Sequence, residues 1–274
     1  MTAKYAVIGN PISHSKSPFI HRTFAEQFIN TKMPQDISYD PILAPLDGFE
    51  ATVSELINLG YKGANVTVPF KFEAYKICDS LSQRVVSSGS GAVNTLSIID
   101  GQIHGDNTDG IGLRNDIVEN LKFPIADKNV LILGAGGAAY GVLNSLIGAK
   151  SITIANRTSE KALELVMSIS DVVDARAKMF EELDVSYDLI INATSTGLTD
   201  TALPIPDIIF AKDCLAYDMM YGRETPFMKQ ARANGAQVAD GLGMLVEQAA
   251  EAFEIWRGVR PETQSVIQLI RNMA

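Results

Sequence analysis

Apolar positions along this 274-residue chain follow two rhythms. Short unbroken apolar runs read as strands buried on both faces, and apolar residues spaced three and four apart read as amphipathic helices. Residues 5–8 form the first such run, and Gly9-Asn10-Pro11 closes it. A polar loop over 12–17 follows. Ser17-Pro18 predicts a helix start, with serine capping and proline in the first turn. Ile20, Phe24 and Phe28 mark its buried stripe. Residues 38–43 predict a second strand. Asp47 with Glu50 predicts a capping box for a helix that turns Phe49, Val53, Leu56 and Ile57 inward and stops at Gly60. Residues 64–68 predict a third strand. This β-α-β-α-β order predicts a parallel sheet.

Residues 69–87 read as a helical region. Residues 92–99 and 102–104, joined by Asp100-Gly101, predict a hairpin. The polar, glycine-bounded stretch 105–110 marks a domain boundary, and a helix with Ile111, Ile117, Val118 and Leu121 on its inner side follows. Strands are predicted at 130–133, 151–155, 188–192, 214–218 and 237–239. Helices are predicted at 137–147, at 158–169 with Ala162, Leu165, Val166 and Ile169 inward, and from Thr225-Pro226 to Gly235. Residues 193–197 form a small-residue loop at a strand end. Gly241-Leu-Gly243 breaks the last strand. The helix over 243–257 turns Leu245, Ala249, Ala252, Phe253 and Trp256 inward. The helix over 261–273 does so through Val266, Leu269, Ile270 and Met273. No internal repeat or low-complexity segment interrupts the chain.

Composition fits an expectation of a globular chain with ample core material, at 46% hydrophobic and 20% charged residues. The net charge of −9 argues against a nucleic-acid or anionic-membrane partner, which would want a basic face. Cys78 and Cys214 stand in unrelated contexts and are expected to be free thiols. No signal-peptide core or membrane-length apolar run is expected, so the cytoplasm is the default location. Three histidines and two scattered cysteines offer no metal-ligand spacing.

The run at 130–133 enters Gly134-Ala-Gly136-Gly137-Ala-Ala139, which fits G-x-G-x-x-G/A between a strand and a helix. Gly134 permits the tight turn, Gly136 lets backbone approach a pyrophosphate, and Ala139 permits close helix–strand packing. The unpaired N–H groups of the helix start favour the phosphates. This predicts a Rossmann-type, doubly wound dinucleotide-binding domain. At the end of the next strand, an NAD site carries an acid for the ribose hydroxyls. Here stand Asn156, Arg157 and Thr158, with Lys161 one turn on. An amide does not repel a 2′-phosphate and a guanidinium attracts it, so the expected cofactor is NADP.

Hydride transfer needs a second site with a proton donor. Residues 65–71 suit it: a strand aims its carboxyl end at a pocket, Pro69 stops the ladder, and Lys71 follows. Taken alone, Lys71 also reads as a solvated helix-start lysine, and Asp109 as a helix cap.

Nine separated blocks, at 9–18, 65–71, 91–96, 105–110, 134–138, 156–158, 217–219, 225–227 and 240–245, closely resemble the shikimate dehydrogenase family over almost the whole chain. The resemblance implies NADPH-dependent, reversible reduction of 3-dehydroshikimate to shikimate, a step in aromatic amino-acid biosynthesis. It implies a two-domain α/β fold: a mostly parallel α/β substrate domain at 1–108 and 243–274, and a Rossmann domain at 109–242. Lys71 and Asp109 become the catalytic pair. Ser15 and Ser17 would hold the substrate carboxylate; Thr67, Asn94, Asp109 and Gln248 its hydroxyls; Tyr221 would close over it. Gly134, Ala135, Gly136, Gly137 and Ala138 would take the pyrophosphate, and Asn156, Arg157, Thr158 and Lys161 the 2′-phosphate. Met219 and Gly241 would line the nicotinamide. Gln83, where the family often carries an acid, would lie near the cofactor. A small-molecule partner and a monomer or homodimer are expected. The chain departs from the family pattern at 87–91 and at 220–224. An NAD-dependent quinate/shikimate dehydrogenase would want an acid at Asn156-Arg157, and a catalytically silent nucleotide-binding relative would have lost Lys71 or Asp109.

Overall fold

The structure, a computed structural model, describes residues 2–31 and 35–273. It divides into two units, Met1–Gly112 with Val246–Ala274, and Leu113–Leu245.

The first unit opens with β1 (Ala3–Gly9), α1 (Ser17–Glu26), β2 (Ile37–Leu43), α2 (Phe49–Asn58), β3 (Tyr61–Val66) and α3 (Lys71–Lys76). Then come β4 (Ser80–Leu81), α4 (Gln83–Ser88), β5 (Thr95–Ile99) and β6 (Gln102–Asp106). The sheet order is β2-β1-β3-β5-β6-β4. Strands β2, β1 and β3 run parallel, while β5 is antiparallel to both β3 and β6. Asp100 and Gly101 both have positive φ, the conformation a two-residue hairpin turn demands. Phe49, Val53 and Leu56 bury against Ile8, Val66, Phe70 and Leu96.

Chain connections to the second unit run through α5 (Asp109–Asn115), which continues as a π turn at Asp116–Asn120. That unit comprises β7 (Asn129–Leu133), α6 (Gly137–Val142), β8 (Ser151–Ala155), α7 (Ser159–Ile169), β9 (Asp174–Lys178), β10 (Tyr187–Asn192), α8 (Thr196–Thr199), β11 (Phe210–Asp218), α9 (Pro226–Ala233) and β12 (Gln237–Asp240). The order β12-β11-β10-β7-β8-β9 is all parallel and reverses between β7 and β10, the doubly wound arrangement. Val130 and Ile132 face one core, Leu131 and Leu133 the other, so the sheet is covered on both sides. The chain returns to the first unit through α10 (Leu242–Arg257) and ends in α11 (Gln264–Arg271). Among the described residues no helix is long and apolar enough to cross a membrane. Cys78 and Cys214 are free thiols.

Several local expectations are corrected. Ser17 is the first residue of α1 and does not cap it; Lys16 stands at the cap without a side-chain cap hydrogen bond, and Ser17 N–H donates to Ser15 Oγ (3.3 Å). Asp47 does not cap α2, because a turn closed by Gly48 N–H to Pro45 O (3.0 Å) places Gly48 at the cap. Strand β3 ends at Val66, two residues early, where Phe70 N–H donates back to Thr67 O (3.0 Å). The 69–87 region contains the short β4, and 193–197 runs into α8. Helix 137–147 is α6 followed by a 3-10 turn at Leu143–Leu146. Strand β9 lies outside the expected elements: Asp174 and Arg176 are exposed and alternate with Ala175 and Ala177, which face the core but are too small and too weakly strand-forming to mark a strand. Leu121 is exposed because the π turn rotates it off the inner face. Helix α11 starts at Gln264 because the Glu262 carboxylate accepts the N–H groups of Gln264 and Ser265, and it ends before Met273; Leu269 and Met273 are exposed.

Candidate functional site

Lys71 opens α3, and its carbonyl accepts from Val93 N–H (2.9 Å), which anchors the helix start beside the approach to β5. Its Nζ lies 2.5 Å from Oδ2 of Asp109, the first residue of α5. The other carboxylate oxygen, Oδ1, accepts from Asn94 Nδ2 at 2.8 Å. Both Asp109 oxygens are therefore engaged. The two side chains are only 25% and 11% exposed, so their attraction is less screened than that of an open surface pair.

Asn94 is buried at the meeting of three segments. Its N–H donates to Asp106 O (3.0 Å) and its backbone carbonyl accepts from Val66 N–H (2.7 Å). Its side-chain Oδ1 accepts from Thr108 N–H and from Thr95 Oγ1, each at 2.8 Å. Behind it, Asn65 Nδ2 donates to Thr95 Oγ1 (3.2 Å), and Tyr39 Oη donates to Asn65 Oδ1 (2.8 Å). Burial raises the Tyr39 phenol well above its ordinary pKa, and a contact with Ser17 offsets part of that shift.

Gln248, on α10, places Oε1 at 3.4 Å from Thr108 Oγ1. Thr67 lies between β3 and α3, half-buried; a Cβ on Gly9 would come within 2.5 Å of Thr67 Cγ2, so the missing side chain at Gly9 makes room for it. Asp109 thus touches both Lys71 and Asn94, and Gln248 joins them through Thr108, which bonds Asn94. Ser15 and Ser17 share a hydrogen bond before and at the start of α1. Gln83 is exposed at the first position of α4. Thr95 and Thr108, which hold the group together, escape sequence reading because the periodic pattern marks apolar positions and says nothing of where a buried hydroxyl at a strand start or in a polar loop donates its proton.

In the second unit, Gly134 has φ 100° and its N–H donates to Ala155 O (2.7 Å), forming the tight turn after β7. Nothing lies within 4 Å of the place a Cβ on Gly136 would occupy, so backbone there is open to a ligand. Ala139 is fully buried beneath it. Asn156 follows β8; its Nδ2 donates to Thr158 O (3.0 Å). Arg157, Thr158 and Lys161 are exposed, and neither cation forms an ion pair among the described residues. This open backbone turn with two uncommitted cations at the neighbouring strand end fits a dinucleotide bearing an extra phosphate.

Beyond β11, Gly241 N–H donates to Met220 O (2.9 Å), and a Cβ on Gly241 would fall 2.3 Å from Met219 O, so these two candidate nicotinamide residues are in contact. The loop is pinned by fully buried Asp218, whose Oδ1 accepts from Met220 N–H (2.9 Å) and whose Oδ2 accepts from Thr225 Oγ1 (2.6 Å) and Asn192 Nδ2 (3.0 Å). Tyr221 follows, partly buried, which raises its phenol pKa.

Residues 7–96 match a family model for the substrate-binding domain of shikimate dehydrogenase, 116–199 one for shikimate/quinate 5-dehydrogenase, and 241–271 one for the shikimate 5′-dehydrogenase C-terminal domain. A shikimate dehydrogenase (NADP(+)) of Methylobacillus flagellatus is 55% identical over 98% of both chains. Among solved structures, an Ael1 enzyme from Pseudomonas putida superposes with a TM-score of 0.91 at 45% identity over 98% of both chains. Shikimate 5-dehydrogenase from Thermus thermophilus, solved in complex with NADP(H) and shikimate, gives 0.86 at 31% identity over 100% of both chains.

Proposed function

This chain belongs to the shikimate dehydrogenase family, and from that premise we propose how its own residues carry out the NADPH-dependent, reversible reduction of 3-dehydroshikimate to shikimate. The unit containing β1–β6 takes the substrate and the doubly wound unit takes NADP. The observation that carries this reading is the Lys71–Asp109–Asn94 group, a cation and a carboxylate held by an oriented amide.

NADPH, when bound, supplies the hydride. A carbonyl carbon that accepts hydride leaves charge on its oxygen, and Lys71 Nζ supplies the hydrogen bond and proton there. Asp109 fixes the lysine's position, and Asn94 fixes Asp109. Thr67, Asn94, Asp109 and Gln248 bind the ring hydroxyls, Ser15 and Ser17 the carboxylate, and Tyr221 covers the substrate. Such polar groups discriminate strongly against analogues lacking a hydroxyl, since each would leave a buried donor or acceptor unpaired. Gly134, Ala135, Gly136, Gly137 and Ala138 receive the pyrophosphate. Asn156, Arg157, Thr158 and Lys161 receive the 2′-phosphate, Met219 and Gly241 flank the nicotinamide, and Gln83 approaches the cofactor. The protein works on small molecules in the cytoplasm, as a monomer or homodimer, with no nucleic-acid or membrane partner.

The test is turnover by the purified protein with shikimate or quinate, each with NADP or NAD. The reading expects shikimate with NADP to be the preferred pair. Preference for NAD, or for quinate, would overturn the assignment of Arg157 or of the hydroxyl-binding set respectively.

A further inference from the structure

We infer that Thr108 sets which end of the Gln248 carboxamide is offered to the substrate, making Thr108 a positioning residue for substrate selection. This rests on the reading of Gln248 as a substrate ligand.

A count of protons leads there. The Thr108 hydroxyl is fully buried and lies 3.2 Å from Asn94 Oδ1, 3.3 Å from Thr95 Oγ1 and 3.4 Å from Gln248 Oε1. It has one proton to give. Asn94 Oδ1 already accepts from two closer donors at 2.8 Å, the Thr108 N–H and the Thr95 hydroxyl, which fill its two lone pairs. The orientation of Asn94 is fixed from both sides. A backbone N–H can only donate to its oxygen, and reversing the amide would set that oxygen against Asp109 Oδ1. With its proton committed to Asn94, Thr95 Oγ1 accepts from Asn65 Nδ2 at 3.2 Å. Thr95 Oγ1 keeps a second lone pair 3.3 Å away, but the atom of Gln248 that faces Thr108 at 3.4 Å is the oxygen Oε1, which has no proton, so that hydrogen bond forms with Thr108 as its donor. The carbonyl end of Gln248 therefore faces Thr108, and its NH2, a donor, is the end turned the other way. A donor there selects for a substrate hydroxyl or alkoxide oxygen.

The backbone of Gln248 is located from the same turn. A Cβ on Gly112 would fall 2.7 Å from Gln248 Cβ and 2.8 Å from its N, so α10 packs on bare backbone at that point. Thr108 and Gly112 flank Asp109, and Gly112 N–H donates to Thr108 O (3.0 Å). One helical turn thus carries the proposed catalytic carboxylate and also fixes the position and polarity of the amide.

The experiment is steady-state kinetics of the full chain at saturating NADP, with shikimate varied, for Thr108→Val, Thr108→Ser, Gln248→Ala, Gln248→Glu and the Thr108→Val/Gln248→Ala double variant. Thr108→Val should raise the shikimate KM about tenfold while kcat moves less than about threefold, the loss expected of one buried hydrogen bond. Thr108→Ser, which keeps the hydroxyl, should restore it. In the Gln248→Ala background, Thr108→Val should add less than about twofold, since residues acting through one another are not additive. Gln248→Glu keeps an acceptor toward Thr108 but removes the NH2, so its KM should rise as in Gln248→Ala. This arm needs no Thr108 variant to fold. Multiplying penalties in the double variant, or a Gln248→Glu enzyme with the parent KM, would overturn the inference while leaving Gln248 as a ligand. An unchanged KM in Gln248→Ala would instead remove Gln248 from the substrate site, and the inference with it.

Discussion

His21 lies flat against Tyr39, with ring centroids 4.1 Å apart and planes 9° from parallel. Phe24, Phe253 and Trp256 surround it, and His21 is fully buried. Burial lowers its pKa from 6.5 to about 3; Asn65 offsets this in part, although neither ring nitrogen reaches hydrogen-bond geometry. The native state therefore holds neutral His21, while the unfolded chain protonates below its ordinary pKa. This contribution to stability is complete above pH 6.5 and is lost as pH falls from there toward 3. Denaturant titrations at several pH values should show His21→Phe losing a slope of about 1.4 kcal/mol per pH unit in that window. An unaltered slope would mean that His21 is protonated in the folded protein.

Gly112→Ala should push α10 away from α5, because its Cβ would fall 2.7 Å from Gln248 Cβ. Overpacking of this kind costs about 1–3 kcal/mol. Thermal melting should show the loss, and the shikimate KM should rise with it. A variant that melts like the parent would show that the helices part freely there.

Arg157→Ala should weaken NADPH about tenfold or more, the value of one charge-assisted hydrogen bond of about 1.5–3 kcal/mol. Binding of NADH, which lacks the 2′-phosphate, should be little changed. Titration of nucleotide fluorescence measures both. Equal losses would remove Arg157 from the 2′-phosphate site.

Thr225→Val should destabilise the doubly wound unit. Its hydroxyl caps α9 by accepting from Met228 N–H (3.3 Å) and donates to buried Asp218 (2.6 Å). Loss of the cap and of a partner to a buried carboxylate costs about 2–4 kcal/mol together. Because Asp218 also holds Met220, the Km for NADPH should rise in parallel.

What could be read from sequence follows from which interactions leave a periodic trace. Strand β8 is legible residue for residue because Ile152, Ile154 and Ala155, with buried Thr153, form a strand buried on both sides. Strand β9 leaves only a weak trace, because alanines at 175 and 177 stand on its core face where β-branched or aromatic residues mark a strand, and backbone pairing to β8 holds this edge in place. The caps expected at Ser17 and Asp47 fall instead on Lys16 and Gly48, because the turn before each helix decides which residue reaches the first free N–H groups. At the site, Lys71 and Asp109 are 38 residues apart, and alone the first reads as a solvated helix-start lysine and the second as a helix cap. Only the resemblance of separated sequence blocks to a known family pairs them. The hydroxyls of Thr95 and Thr108 became meaningful only once the direction of each hydrogen bond could be followed.

The most direct test is the turnover number of Lys71→Ala with saturating shikimate and NADP, together with its NADPH affinity. Removing the proton-transferring group should lower kcat about 10²–10⁴-fold while the Kd for NADPH stays at the parent value. A kcat within about threefold of the parent would contradict the role assigned to Lys71 and the mechanism built on its pairing with Asp109.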